Sequence, residues 1–488
     1  MGIQSVKTQI IRPLEPQERD ILSVYNMIYE PLVRIDDEYK PSPCLAESWE
    51  SANDGRTWTF HIRTGVTFSD GTPLTAQDVV DTANAILERA SDETASTKGY
   101  YGNLRYFVSR ITATGTHTVV VRTPANRSYY GVLYAMSFPI LPSGQANADE
   151  PVGSGPYIIA DFNPGEYILL ERNINWWRSP PQVETITFLC HETQREVVES
   201  YEYGRVNTIF TRSVAAAQYR SGSTSLSIDY RTSQLEVLLM HHYGRLASAN
   251  VRKAIRYVVD PDYLAQHVYL NMVTRTDTPM IPGTWTYNDS LGGYFVRNLD
   301  EARRLLEEDG WGDSDEDGIL DKLNENDQKI TLSLNLLVYE EPDNDVRIQA
   351  ANAIRDELAQ VGIEVTVVVD TFTSVKTKLE AGNFQLALAA YSMDPCPDPG
   401  FMLISGNTYN YCRYRSTAMT DLCNQLRRCE DQGSYQDTLY QIQERFAQDC
   451  PFICLYYRDG VALTRYMYTT IRDVREYDLL RGIETFRP

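Results

Sequence analysis

Among the charged residues, Asp394 has the most informative surroundings: it follows the run FQLALAAYSM and precedes prolines 395, 397 and 399. A continuous apolar run of about seven residues bounded by Gly382 and proline reads as a strand buried on both faces. The acid then stands just past a buried strand's carboxyl end, where open α/β sheets present ligand groups. Three prolines remove backbone donors and fix φ, so the segment cannot continue as strand and forms a stiff loop. A stiff loop holds a carboxylate still; the competing reading is an acid in an ordinary proline-rich turn.

Other groups carry residue types that could do chemistry. Asp313, Asp315, Asp317, Gly318 and Asp321 in DSDEDGILD match the first half of a calcium loop, but Asn324 replaces the bidentate glutamate at position twelve. An acidic turn is the simpler reading. His241 and His242, as neighbours on a strand, point to opposite faces, so they cannot easily share one metal. No phosphate-binding loop occurs, and Gly153-Ser154-Gly155 is neither a dinucleotide fingerprint nor a nucleophile elbow. His191-Glu192 opens a zincin pattern, yet Arg195 occupies the second histidine's place. No enzymatic signature and no cofactor is expected.

Composition narrows the partners. A net charge of −21 excludes nucleic acid and anionic lipid as natural partners. The 33 tyrosines against 14 phenylalanines suit a cleft that is flat and apolar yet offers hydroxyls. Eight cysteines in 488 residues are too few for a disulfide scaffold, and no C-x-x-C pair suggests zinc. Cys423 and Cys429 share an apolar face with Met419, Leu422 and Leu426 and read as buried thiols. Cys396 and Cys412 flank the candidate loop and are the pair to test for a bridge. No run reaches the roughly 18 apolar residues of a membrane span, and MGIQSVKTQII has no hydrophobic signal core. An exported form would have had its targeting segment removed.

The elements that must position these groups follow from pattern. Asn53-Asp54-Gly55 separates SWES from the alternating Trp58, Phe60 and Ile62, a hairpin. Thr75 with Asp78 forms a capping box before a helix striped by Val79, Ala83, Ile86 and Leu87. THTVVVRT at 116–123 is a strand, and a Pro/Gly/Asn-rich passage at 139–155 closes this β-rich block. Thr193 with Glu196 caps a second helix, Asn298 with Glu301 a third, and Ser434 with Asp437 another. A helix at 249–259 runs into Asp260-Pro261, where proline at the first helical position restarts helix. Between 329 and 391, strand (Ile330–Val338), helix (Val346, Ala350, Ile354, Leu358, ended by Gly362) and strand (Ile363–Val369) alternate, which means parallel pairing with right-handed crossovers.

The chain resembles the extracytoplasmic solute-binding proteins of peptide/nickel-type ABC importers, the family 5 dipeptide and oligopeptide binders. The motifs are IYEPLVRID at 28–36, LAESWESANDGRTWTFHIRTGVTFSDGTPLTAQDVV at 45–80, VGSGPY at 152–157, ERNINWW at 171–177, VRKAIRYVVD at 251–260, EARRLLEEDGW at 301–311 and DPCPDPGFM at 394–402. The resemblance implies an α/β, two-lobe periplasmic-binding-protein-like fold (type II, cluster C) with an extra β-rich subdomain on lobe one. Lobe one would comprise 1–43, 151–238 and 459–488, the subdomain 44–150 and lobe two 239–458. It also implies an extracytoplasmic monomer, periplasmic or anchored to the surface as a lipoprotein, that passes a peptide or peptide-like solute to an ABC permease by lobe closure.

In the peptide-binding branch an aspartate in a W-x-x-D loop pairs with the ligand's α-ammonium, and Asp394 matches that position. Tyr391 stands where many members have tryptophan, and Leu388 where some oligopeptide binders have arginine. Tyr25, Tyr101 and Tyr106 are the lobe-one cleft candidates; Tyr391, Tyr411 and Arg413 are those of lobe two. The alternatives are a nickel or metal-chelate binder using His241 or His242, and a surface sensor serving a signalling partner.

Overall fold

In a computed structural model, the chain is described at all residues except 17, 53, 93–99, 126–128, 221–225, 325, 342–343, 466–473, 477 and 487–488; the side chains of 293–295 are also left undescribed. It forms two compact units. Unit 1 holds Met1–Thr232, Arg427–Tyr435 and Asp459–Pro488; unit 2 holds Ser233–Leu426 and Gln436–Arg458. The boundary falls inside two long strands, Leu226–Met240 and Phe452–Thr464. The first boundary between the units lies at 232, and Arg427–Tyr435 groups with unit 1. That segment is drawn there because the backbone amides of Tyr129 and Tyr130 donate to the Arg427 and Cys429 carbonyls at 3.1 and 3.0 Å.

Unit 1 has a mixed sheet in the order Phe452–Thr464, Thr208–Thr211, Gly2–Gln4, Thr185–His191, Tyr167–Arg172, Tyr157–Asn163. Gly2–Gln4 pairs in parallel with both neighbours, joined through the helix Gln194–Glu202, whose Glu196 amide donates to the Thr193 hydroxyl at 3.1 Å. A separate four-stranded antiparallel sheet, Ala46–Ser51, Thr57–Ile62, Thr118–Arg122, Arg110–Gly115, packs on the helix Ala76–Ser91. Trp58, Phe60 and Ile62 are buried on its inner face, the expected alternation. The Thr75–Asp78 capping box is present. In the Asn53-Asp54-Gly55 turn, Gly55 has φ +60°, and Asn53 lies outside the described residues.

The 153–157 motif is explained by close approach. A Cβ on Gly153 would lie 1.9 Å from the Ile28 carbonyl oxygen and one on Gly155 2.4 Å from that of Met27. Only glycine lets this strand-entry backbone lie against the end of the helix Ile21–Ile28. Beside it, Glu30 is wholly buried; its Oε2 accepts from Trp177 Nε1 at 2.6 Å and from the Ser154 hydroxyl at 3.3 Å. The IYEPL, GSGPY and NINWW motifs therefore meet at one place.

Unit 2 is built on the strand order Glu364–Asp370, Ser333–Tyr339, Leu386–Ser392, Leu226–Met240, Phe452–Thr464, with Val273–Arg275 also on the last. The first three run parallel; Leu386–Ser392 runs antiparallel to Leu226–Met240, with Leu388 opposite Leu238. Val346, Ala350, Ile354 and Leu358 face the core from the helix Val346–Ala359, and Gly362 follows at φ +77°. The single expected strand at 330–338 is instead two: Lys329–Thr331 hairpins back onto Asp321–Leu323, and only Ser333–Tyr339 enters the sheet. The cap at Ser434 is also corrected. Ser434 lies inside the helix Gln432–Asp449, and Asp431 accepts from the Ser434 amide at 2.9 Å, because an aspartate three residues earlier presents the same capping geometry.

Candidate functional site

The strand Leu386–Ser392 is buried through Ala389, as its apolar run requires, and stops two residues before Asp394. Asp394 is exposed. Its Oδ1 accepts from the Cys396 amide at 2.9 Å, a local turn that orients the carboxylate. Asp398 does likewise for the Gly400 amide at 2.7 Å, and Pro399 leads into the short helix Gly400–Leu403. The proline-rich loop is thus held by its own side chains.

Tyr391 forms the wall beside it. Its ring stacks on Tyr411 with centroids 5.8 Å apart and an 8° interplanar angle, and meets Phe401 edge-on at 5.7 Å. The hydroxyl donates to the Tyr409 carbonyl at 2.9 Å. Burial drives the Tyr391 phenol well above its ordinary value and pushes that of Tyr411 up to about 12, so both are neutral hydrogen-bonding aromatics. Tyr409 is exposed against the edges of Phe401 and Tyr411. The loop is braced by Asn410, whose Nδ2 donates to the Tyr414 carbonyl at 2.8 Å while its Oδ1 accepts from the Tyr414 amide at 3.0 Å.

Arg413 extends from this loop with φ +57° and is exposed; its Nη2 donates to the Glu380 carbonyl at 2.6 Å. His241 Nε2 and Arg413 Nε both approach within 3.3 Å of where a Cβ on Gly382 would stand, so these two predicted residues are neighbours. Burial and then the Arg413 charge lower the His241 pKa. The strand ends at Met240, so the opposite-face argument for the two histidines does not apply. His242 is committed elsewhere: its Nε2 lies 2.9 Å from the Pro451 carbonyl, and burial with Arg252 lowers its pKa to about 4.

In unit 1, Tyr25 is buried, edge-on to Tyr29 at 6.0 Å, and Tyr101 is half-buried within electrostatic reach of it. Burial raises both phenols. Tyr106 is exposed under the Arg105 guanidinium, 4.7 Å from its ring centroid. The structure therefore brings together Tyr391 with Tyr411, His241 with Arg413, and Tyr25 with Tyr101.

None of the eight cysteines is in a disulfide, so Cys396 and Cys412 are not bridged; Cys412 is buried toward Arg252 and Cys450 instead. In the 313–321 loop, Asp313, Asp315 and Asp317 converge within 4.8 Å. The Asp313 carboxylate accepts from the Asp317 and Gly318 amides, and the Lys329 ammonium lies 3.1 Å from Asp321 and also pairs with Asp315.

A group that the sequence reading missed lies in unit 2. Glu236 and Arg347, both wholly buried, form a two-pronged ion pair, and Arg458 Nε donates to Glu236 Oε1 at 2.7 Å. Glu341 completes a set of two arginines and two glutamates. The available signal was a charge inside an apolar strand, Glu236 in LEVLLM and Arg458 in LYYRDGV.

The chain thus has two α/β units that share long strands, with an acid and two stacked tyrosines near one strand's carboxyl end. Residues 40–411 match the bacterial extracellular solute-binding proteins, family 5 (middle), and the chain belongs to that family. It is 24% identical to the oligopeptide-binding protein AppA of Bacillus subtilis over 89% of this chain and 81% of that one. It is also 24% identical to the nickel-binding periplasmic protein of Escherichia coli, over 74% and 69%. Among solved structures it is similar to NikA of Brucella suis with Fe(III)-EDTA, at a TM-score of 0.82, 20% identity and coverage of 100% and 99%. AppA of Bacillus subtilis with a nonapeptide matches at a TM-score of 0.72, 21% identity and coverage of 99% and 97%.

Proposed function

We propose that this solute-binding protein, working outside the cytoplasmic membrane, captures a peptide or peptide-like solute and delivers it, unchanged, to an ABC permease in that membrane. The observation that carries this reading is Asp394: an exposed carboxylate, fixed by its own turn, beside the neutral Tyr391–Tyr411 stack. A fixed carboxylate holds an ammonium by a charge-assisted hydrogen bond, and the tyrosine faces cover the adjoining chain whatever its side chains. Closure follows only from contacts that the ligand makes better in the shut state. The relatives named for oligopeptides support this cargo. No helix among the described residues is long and apolar enough to cross a membrane, consistent with a partner supplying the channel.

A nickel cargo, which other relatives carry by name, competes with it. His242 is already engaged by a backbone carbonyl, and the His241 imidazole sits beside a cation, which disfavours a metal there. Isothermal titration with a mixture of free peptides and with nickel decides between them. The peptide reading predicts heat from peptides that falls at least tenfold in affinity in Asp394→Asn. Heat from nickel alone, unchanged in that variant, removes it. Mass spectrometry of the bound solute after incubation reads it intact; cleavage products refute the transport role.

A further inference from the structure

The Asp394 loop is one of two charged sites at the same edge of unit 2. Ser333–Tyr339 and Leu386–Ser392 run parallel with Val338 opposite Leu388, so they end on one side of the sheet. Asp394 follows the second strand by two residues, and Glu341 follows the first by two. In open α/β sheets that side is where ligand groups are presented.

Glu341 is gripped by both arginines. Arg458 Nη1 donates to its Oε2 at 3.1 Å and Nη2 to its Oε1 at 3.0 Å, while Arg347 Nη2 and Nε donate to Oε1 at 2.8 and 3.2 Å. The inner pair, Arg347 with Glu236, is sealed at 0% side-chain exposure; the outer pair is not, with Arg458 at 13% and Glu341 at 17%. Burial would raise the Glu341 carboxyl, but Arg458 and Arg347 outweigh it and hold it below the usual glutamate value. Glu341 is thus an ionised carboxylate held in a ready-made two-guanidinium fork, the geometry that arginine offers carboxylates generally.

A peptide with free termini brings one charge of each sign. Asp394 suits the ammonium, but the position where the resemblance would place a carboxylate-binding arginine is Leu388, at 0% exposure. We propose that Arg458, backed by Arg347, is the carboxylate anchor of this site, and that Glu341 is the internal carboxylate whose place the ligand's carboxylate takes. The source of that carboxylate rests on the peptide reading above; the arginine fork itself does not. The exchange conserves charge and hydrogen bonds. The ligand accepts from the Arg458 fork, and Glu341 moves toward water, keeping the Asn344 side-chain amide that already donates to it at 2.7 Å. Glu236, bonded to Arg458, is paired in the sheet with Ala390, four residues before Asp394. That stretch of backbone spans at most roughly 14 Å, which puts both charged sites near one strand's end, and the proposed ligand class is a short peptide with a free carboxyl end.

Two measurements test this. In calorimetry, a mixture of free tri- and tetrapeptides binds the intact protein, the same mixture with amidated carboxyl ends binds at least tenfold more weakly, and Glu341→Gln binds the free acids severalfold more tightly. In thermal unfolding, Glu341→Ala, with the fork vacated, gains a saturable rise of a few degrees in sodium acetate over sodium chloride at equal ionic strength, and the intact protein does not. If Glu341→Ala does not fold, Glu341→Gln serves for the same comparison. Equal binding of acid and amide mixtures, or no acetate-specific rise, overturns the proposal. An acetate-specific rise with no binding of any peptide leaves the arginine fork standing and removes the peptide cargo.

Discussion

Glu357 offers the sharpest physical check on the packing of unit 2. It lies on the helix Val346–Ala359 and is only 7% exposed. Burial, with a smaller push from the Asp260 carboxylate, raises its pKa from 4.5 to about 7; the Asp260 amide, which donates to its Oε2 at 3.0 Å, and Arg297 oppose the rise. An acid whose folded pKa lies above its unfolded one binds its proton more tightly when folded. The Glu357 contribution is therefore most favourable below about pH 4.5, where the group is largely protonated in both states, and it is lost as pH rises toward 7. The whole cost, about 3 kcal/mol from a shift of that size, is reached above pH 7. Glu357→Gln keeps an oxygen to accept from the Asp260 amide and never ionises. The variant should match the parent near pH 4.5 and exceed it at pH 8 by up to about 3 kcal/mol, roughly 6–12 °C in melting temperature for a unit of this size. Thermal and urea unfolding at pH 4.5, 6, 7 and 8 read the difference directly. A gap that is independent of pH, or a variant less stable than the parent at pH 8, would refute the assignment of a buried, proton-retaining carboxyl.

Four further outcomes follow from named contacts. Asp394→Asn should leave the melting temperature within about 1 °C, since the residue is exposed and an asparagine keeps the turn to the Cys396 amide, while weakening peptide capture at least tenfold by titration. Gly153→Ala places a methyl group 1.9 Å from the Ile28 carbonyl oxygen, backbone against backbone; it should cost more than about 2 kcal/mol or prevent folding of unit 1, read by circular dichroism and yield. Arg347→Met leaves Glu236 buried with half of its compensation and should cost about 3–5 kcal/mol in urea unfolding, whereas Asp431→Ala, the loss of one helix cap, should cost about 1 kcal/mol.

How far the sequence could be read depended on the range of the interaction. The Thr75–Asp78 box, the Thr193 and Asn298 caps and Asp260-Pro261 were legible because each is closed by hydrogen bonds spanning three or so residues. Asp431 and Ser434 overlap as cap signatures; the sequence points to Ser434 and the fold uses Asp431, since nothing local ranks them. The Phe384–Met402 stretch was legible for the same reason: an apolar run, a stop and prolines speak for themselves, and Tyr391 packs as its place at the strand's end implies. Cys396 and Cys412 flank the same loop in sequence, and whether they bridge was open at that level; in the fold no disulfide joins them, and Cys412 is buried toward Arg252 and Cys450.

By itself, the order of residues determined the alternation of strands and helices, their caps and turns, and a rigid acid at a strand's end, since periodicity and local hydrogen bonding are written within a few neighbours. Only tertiary structure decided which charges are compensated. Arg347 and Glu236 are 111 residues apart, and Arg458 and Glu236 are 222 apart, so whether such a group is a buried liability or part of a neutral fork depends on strands brought side by side by long-range pairing. A carboxylate's role is set by the field around it, and that field does not exist until the chain has folded.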